Sequence, residues 1–66
     1  MSVASISEIS SSSTKSFEDA TRNGIAKASK TIRNIRSAWV KSEEVMVEKG
    51  KVTEYRVKLK LSFELE

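Results

Sequence analysis

The sequence predicts an α+β fold with the element order β-α-β-β, in which three antiparallel strands form one sheet and a single amphipathic helix packs on one face. Three observations predict this fold. Polar and apolar residues alternate strictly near the end of the chain, apolar residues recur at helical spacing in its middle, and a glycine-containing turn joins two segments with strand character. A chain of 66 residues has the length of one small domain, and we take residues 1–66 as that domain.

The first element is a short strand. Val3, Ile6 and Ile9 stand among small residues, which predicts a weak strand from Val3 to Ile9. The run from Ser10 to Lys15 that follows has the composition of a loop. The sequence therefore predicts that the strand ends before the serines.

The second element is an amphipathic helix of about five turns, from near Ser16 to near Ile35. At its start, the Ser16 hydroxyl can accept from the Asp19 amide, and the Asp19 carboxylate can reach back to the Ser16 amide, as in a capping box. Gly24 inside a helix costs about 1 kcal/mol relative to alanine, so we expect close packing there. Apolar and small residues then recur at steps of three and four: Phe17, Ala20, Thr21, Gly24, Ile25, Ala28, Ile32 and Ile35.

The third element is a strand from Ser37 to Glu48. Its apolar residues change parity between Val40 and Val45, which predicts a β-bulge near Ser42–Glu44. The turn at residues 48–51 places Gly50 where a positive φ is needed. This strand and the last one therefore form an antiparallel hairpin.

The last strand has one apolar and one polar face. Because successive side chains of a strand point to opposite faces, we expect the helix to cover its apolar face and leave the polar face for function. The odd-numbered residues from 55 onward are apolar: Tyr55, Val57, Leu59, Leu61, Phe63 and Leu65. The even-numbered residues are polar: Glu54, Arg56, Lys58, Lys60, Ser62 and Glu64.

The composition excludes several classes of function. The chain has no cysteine and no histidine, which removes disulfides, thiolate metal sites and catalysis that uses a histidine base. We therefore do not expect an enzyme. No segment is apolar enough for a membrane span or a signal peptide, and we expect a cytoplasmic protein. The net charge of +3 is spread along the chain, so binding to nucleic acid is not expected.

The chain is predicted to form a homo-oligomer. One helix covers one side of the sheet, which leaves the other side, with Trp39 or its neighbours, uncovered. The long hairpin also leaves strand edges open for pairing with another chain. Small domains without disulfides or metals often gain stability by oligomerisation.

Three segments resemble the dodecin family: residues 11–20, residues 26–36 with SKTIRNIR, and residues 50–63 with GKVTEYRVKLKLSF. The resemblance runs in order over nearly the whole chain. It implies a β-α-β-β protomer in a hollow homododecamer that stores or sequesters flavin (FMN, riboflavin, FAD or lumichrome) at inter-subunit sites. The chain looks closer to a bacterial branch of the family that lacks the usual tryptophan, and for which calcium binding has been suggested.

The resemblance also implies a set of flavin-binding residues. In the family, a tryptophan just after the helix stacks on the isoalloxazine ring, and a glutamine on the last strand binds the ring edge. Here Ser37 aligns with that tryptophan, Trp39 stands two residues later, and Arg56 replaces the glutamine. We therefore expect Trp39 to offer the stacking ring, on the same face as Ser37, and Arg56 to bind flavin carbonyls or a phosphate.

Other interpretations remain open. Trp39 can instead pack in a subunit interface, and Arg56 can pair with Glu43, Glu44 or Glu54. Lys58 and Lys60 are expected to be solvated or ion-paired. The alternative functions are a shell without flavin that binds calcium or an anionic nucleotide such as coenzyme A, and a purely structural role.

Overall fold

The computed structural model describes residues 3–65, which form one antiparallel sheet and one helix. The order is β1 (Val3–Ser13), α1 (Phe17–Ala28), β2 (Ile35–Glu48) and β3 (Lys51–Leu65). The strands lie in the order β1-β3-β2, so the alternating last strand is central. The predicted fold class is confirmed. Residues 1, 2 and 66 of the predicted domain lie outside the described residues.

The core lies between α1 and the odd-numbered face of β3, as the alternation predicts. Val57, Leu59 and Leu61 are at most 1% exposed, and each such burial contributes about 1.5–3 kcal/mol. Ala20 on the helix is also fully buried. A second layer of partly buried residues packs around them: Ile9, Phe17, Ile25, Ala28, Ile32, Ile35 and Ala38.

The serine run belongs to β1 and does not form the predicted loop. Ser10–Ser13 continue the pairing with β3, and Ser13 lies opposite Tyr55. Their small side chains suit this position, because α1 passes directly over Ser11 at Gly24. Ser13 is buried, and its hydroxyl donates to Asp19 Oδ2 at 2.6 Å. Strand pairing and helix packing therefore override the turn preference of serine.

The N-terminal cap of α1 is half as predicted. The amide of Asp19 donates to Ser16 Oγ at 2.9 Å. The Asp19 carboxylate accepts from Ser13 Oγ and from Asn23 Nδ2 instead of reaching back to the Ser16 amide. The carboxylate thus ties the helix to the end of β1.

The helix ends at Ala28, and the prediction that it extends to near Ile35 is wrong. The Ser29 hydroxyl donates to the Ile25 carbonyl at 2.7 Å, which competes with continued helix. The amides of Thr31 and Ile32 both donate to the Ala28 carbonyl, at 3.1 and 2.8 Å, and this closes the last turn. Asn34 then has a φ of 60°, a left-handed conformation in which asparagine is enriched.

The β2–β3 hairpin contains the predicted turn and a bulge. Lys49 and Gly50 both have positive φ, 52° and 76°, as the two central residues of a type I′ turn require. The register shifts between Val40 and Ser42, so the bulge lies just before the predicted position. Two further shifts occur, between Ile35 and Ser37 and between Met46 and Val47.

The far end of the hairpin is a two-stranded ribbon. β1 pairs with β3 no further than Tyr55, so residues 46–54 have no third strand. Every residue from 39 to 53 is exposed. The chain is accordingly elongated, with extents of 52 × 19 × 13 Å. Within residues 3–65, no helix is long and apolar enough to cross a membrane.

We expect Gly24→Ala to destabilise the protein. A Cβ atom on Gly24 would lie 2.8 Å from Ser11 Cβ, and such overpacking typically costs about 1–3 kcal/mol. The gain in helix propensity is only about 1 kcal/mol. Thermal unfolding at one fixed protein concentration measures the change.

The double variant Gly24→Ala with Ser11→Gly is the control. It removes the crowding side chain and leaves Leu59 Cδ1 at 3.4 Å, an ordinary contact distance, from the new methyl group. We expect it to recover part of the lost melting temperature. A single Gly24→Ala variant that is as stable as the wild type would contradict this account of the contact.

Candidate functional site

The face of the sheet opposite α1, here called the open face, carries the polar side of β3. Residues directly opposite each other in an antiparallel pair share a face. Among residues 3–65, no helix or strand packs over this face. The register therefore defines its membership: it pairs Ser37 with Ser62, Trp39 with Lys60, Ser42 with Lys58, and Glu44 with Arg56.

Trp39 and Ser37 lie side by side on the open face. They are two residues apart on β2, which corresponds to about 6.5–7 Å along a strand. Trp39 is 56% exposed, which is unusual for the largest apolar side chain of a small domain. The structure thus offers a flat aromatic surface with a hydroxyl beside it.

Lys60 lies against the ring of Trp39. Its Nζ atom is 5.6 Å from the ring centroid, within the range of a cation–π interaction. Lys60 is partly buried on the central strand, whereas its neighbour on the same face, Lys58, is exposed. The expectation that Lys60 is solvated or ion-paired is therefore incomplete, because its contact is with an aromatic ring.

An ion pair crosses the open face beside this contact. Lys41 Nζ lies 3.2 Å from Glu8 Oε2 and 3.3 Å from Glu8 Oε1. Lys41 is on β2 and Glu8 on β1, so the pair spans the central strand. Glu8 is also the residue opposite Lys60 in the sheet.

Arg56 lies on the same face but in a separate position. It is four residues from Lys60 along β3, or about 13 Å. Its Nε donates to Glu54 Oε1 at 3.1 Å, and Glu44 lies opposite. The hydrogen bond that Arg56 donates to Glu54, the negative charge of Glu54 and that of Glu44 raise the pKa of Arg56. Within one chain, the predicted site residues form two groups, with Ser37 and Trp39 in one and Arg56 in the other.

The carboxylates of the open face do not gather into a metal centre within one chain. Among residues 3–65, no three acidic side chains converge in a way that could hold a metal ion. A calcium ion takes six to eight oxygen ligands. Such a site would therefore require carboxylates from more than one copy.

The geometry and the sequence now agree with one known family. The family model for dodecins matches residues 3–66. The chain belongs to the dodecin family. No match was found among the curated proteins.

Solved structures of dodecins have the same fold over almost the entire chain. Dodecin from Streptomyces davaonensis is 26% identical, with a TM-score of 0.94, and the match covers 98% of this chain and 96% of that one. An arginine-to-alanine mutant of the Thermus thermophilus dodecin is 30% identical, with a TM-score of 0.93 and coverage of 100% and 98%.

A third match is a Mycobacterium tuberculosis protein described as a calcium-chelating immunodominant antigen, calcium dodecin, with a novel calcium-binding site. It is 31% identical to this chain, with a TM-score of 0.83 and coverage of 97% and 91%. Dodecins as a family form oligomers and are proteins that bind flavin or other ligands rather than enzymes.

Lys60 contacts Trp39 on the open face, but it was not predicted from the sequence as a residue of the candidate site. The alternation of polar and apolar residues in β3 places Lys60 on the polar face. It does not identify the residue of β2 that lies opposite Lys60. That partner depends on the bulges of the hairpin. A correct register would have paired Lys60 with Trp39 and made the contact predictable.

We expect Arg56→Gln to leave the thermal unfolding midpoint almost unchanged. Arg56 is exposed and Glu54 is half-buried at the surface of the chain, where ion pairs contribute little to stability. Thermal unfolding of both proteins at the same concentration and salt tests this. A large loss of stability would mean that Arg56 holds subunits together.

Proposed function

We propose that this protein is a non-enzymatic flavin-binding protein, a homododecamer that stores or sequesters flavin in the cytoplasm. Flavin stacks on Trp39 at inter-subunit sites. The observation that carries the proposal is the exposed indole of Trp39 on a face that no other element of the described chain covers. Membership of a ligand-binding family supports it.

The residues of the open face fit an isoalloxazine ring. A flat, partly apolar ligand gains most from a flat aromatic side chain, and Trp39 supplies the one indole of the chain. Ser37 beside it offers a hydroxyl for ring-edge atoms. Arg56 offers a guanidinium that suits carbonyl or phosphate oxygens. Arg56 lies about 13 Å along β3 from Lys60, the residue opposite Trp39. We therefore infer that Arg56 reaches a flavin held by Trp39 of a neighbouring copy.

Flavin bound in this way is protected and not turned over. A ring that stacks on an indole is shielded from solvent, and its fluorescence and photochemistry are quenched. The side chains around Trp39 are serine, lysine and glutamate. They can bind and orient a ligand, and we assign none of them an acid–base role.

The exposed ribbon supports assembly of several copies. Val45, Val47 and Val52 are 38%, 61% and 49% exposed on one chain. A two-stranded hairpin is at best marginally stable alone in water. Packing of this ribbon against other copies would bury its valines and bring the open faces of different chains together.

A calcium-binding shell is the second candidate function. Similarity to the calcium dodecin of Mycobacterium tuberculosis favours it. In this chain, Glu54 already binds Arg56, and Glu44 lies opposite Arg56. Calcium would therefore compete with Arg56 for the carboxylates of Glu44 and Glu54. For this reason we place flavin first.

We expect the purified protein to quench flavin fluorescence and Trp39→Ala to abolish most of this binding. Loss of an aromatic stacking partner costs about 1–3 kcal/mol, or roughly a 5- to 150-fold weaker affinity. Titrations with riboflavin, FMN and lumichrome measure the constants. Trp39 is the only tryptophan, so its own emission gives a second signal for the same event.

Val40→Ala is the matched control for this titration. Val40 is the next residue on the same strand, but it pairs with Leu59 on the helix-covered face. We expect it to bind flavin like the wild type. Absence of quenching at micromolar flavin, together with a calcium-dependent rise in melting temperature, would replace the flavin proposal with the calcium one.

We expect a mass of twelve chains in solution and its loss in Val47→Glu. A charge introduced into an apolar contact between copies is strongly unfavourable. Lys49→Glu places the same side chain at the exposed turn and serves as the control. Size-exclusion chromatography with light scattering measures both. A wild-type monomer would refute the assembly and, with it, the inter-subunit flavin site.

A further inference from the structure

We propose that Lys60 determines the specificity of the Trp39 surface and makes it select flavins that carry a phosphate group. This inference rests on the proposed flavin function and names the ligand class of that site. The observation is the juxtaposition of the Lys60 ammonium group, which pairs with no carboxylate of residues 3–65, with the only indole of the chain.

The position of Lys60 is fixed by the sheet. It lies on the central strand, where β1 pairs on one side and β2 on the other, and its side chain is partly buried. Trp39 stands directly opposite on β2. In this arrangement the ammonium group lies over the ring, 5.6 Å from its centroid.

The charges around Trp39 do not balance. Glu8 is the carboxylate opposite Lys60, but its oxygens contact Lys41. Among residues 3–65, no carboxylate lies within 4 Å of Lys60 Nζ. The neighbourhood thus holds two ammonium groups and one carboxylate.

The other cations at the edges of the open face are compensated. Arg36 pairs with Glu64 at 3.3 Å, and Arg56 pairs with Glu54 at 3.1 Å. Among residues 3–65, Lys58 also has no carboxylate within 4 Å, but the cation–π contact with Trp39 is made by Lys60. Lys60 is therefore the uncompensated positive charge that lies at the aromatic ring. A ligand that complements this place has a flat ring for Trp39 and an anionic group for Lys60.

A phosphorylated flavin meets both requirements. A phosphate monoester carries a charge of about −1.5 to −2 at neutral pH. The lysine ammonium has three donors on a flexible stem, so it can turn from the ring to a phosphate oxygen without a change in the sheet. Riboflavin, which lacks the phosphate, gains the stacking contact alone.

The test compares FMN with riboflavin on the assembled protein and on Lys60→Gln. We expect the wild type to bind FMN about fivefold more tightly, the order expected for one partly exposed charge pair. Lys60→Gln should lose this preference by weakening FMN while riboflavin affinity stays the same. Lys60→Arg keeps the charge and should keep the preference, which preserves the test if the glutamine variant does not assemble.

Lys58→Gln is the matched control. Lys58 lies on the same strand and the same face, and the substitution removes the same charge, but Lys58 makes no cation–π contact with Trp39. We expect it to retain most of the preference for FMN. Inorganic phosphate gives an independent readout: it should weaken FMN binding to the wild type, but leave riboflavin binding unchanged.

Several outcomes would overturn the inference. Equal affinity of the wild type for FMN and riboflavin would overturn it while leaving the flavin function intact. An equal loss in Lys58→Gln and Lys60→Gln would assign the preference to the general charge of the face and refute a specific role for Lys60. Absence of binding by both flavins would refute the proposed function itself.

Discussion

Burial of the odd-numbered face of β3 beneath α1 is the interaction on which the rest of the structure depends. Val57, Leu59 and Leu61 are the most deeply buried large side chains, and they lie on the central strand. Because strand side chains alternate, covering this face commits every even-numbered residue of β3 to the other side. The open face follows directly from the core. The close approach of α1 at Gly24 then requires a small residue beneath it on β1, which Ser11 supplies.

Most of the fold could be predicted from local patterns, and the errors have physical causes. The alternation in β3 and the Gly50 turn identified the hairpin, because each acts through its own residues. The serine run of β1 was predicted as a loop because its strand state depends on pairing with β3 and on the helix above. The helix was predicted too long because Ile32 and Ile35 continue the helical spacing of apolar residues. Both side chains do pack against the core, but Ile32 does so from the turn after α1 and Ile35 from the start of β2.

The candidate site could be predicted as a face, but not as a set of contacts. The register of the hairpin can be counted back from the pair Glu48–Lys51 at the turn. With only the one predicted bulge on β2, this count would set Trp39 opposite Leu59, on the face that α1 covers. The structure has a compensating irregularity near Thr53 on β3, so that Trp39 faces Lys60. Two bulges of opposite sense cancel in the register. No local pattern in the sequence indicates the second bulge, because Thr53 fits an ordinary strand equally well.

The chemistry of the open face has a consequence for how such a protein would release its ligand. The charged groups around Trp39 and Arg56 are lysine, arginine and glutamate, and the chain contains no histidine. Histidine is the side chain that proteins ordinarily use as a switch near neutral pH, and it is not among them. Under the proposed function, occupancy would therefore follow the free ligand concentration, without a histidine switch in the protein. The protein would act as a passive buffer, filling when ligand is abundant and emptying when other proteins consume it.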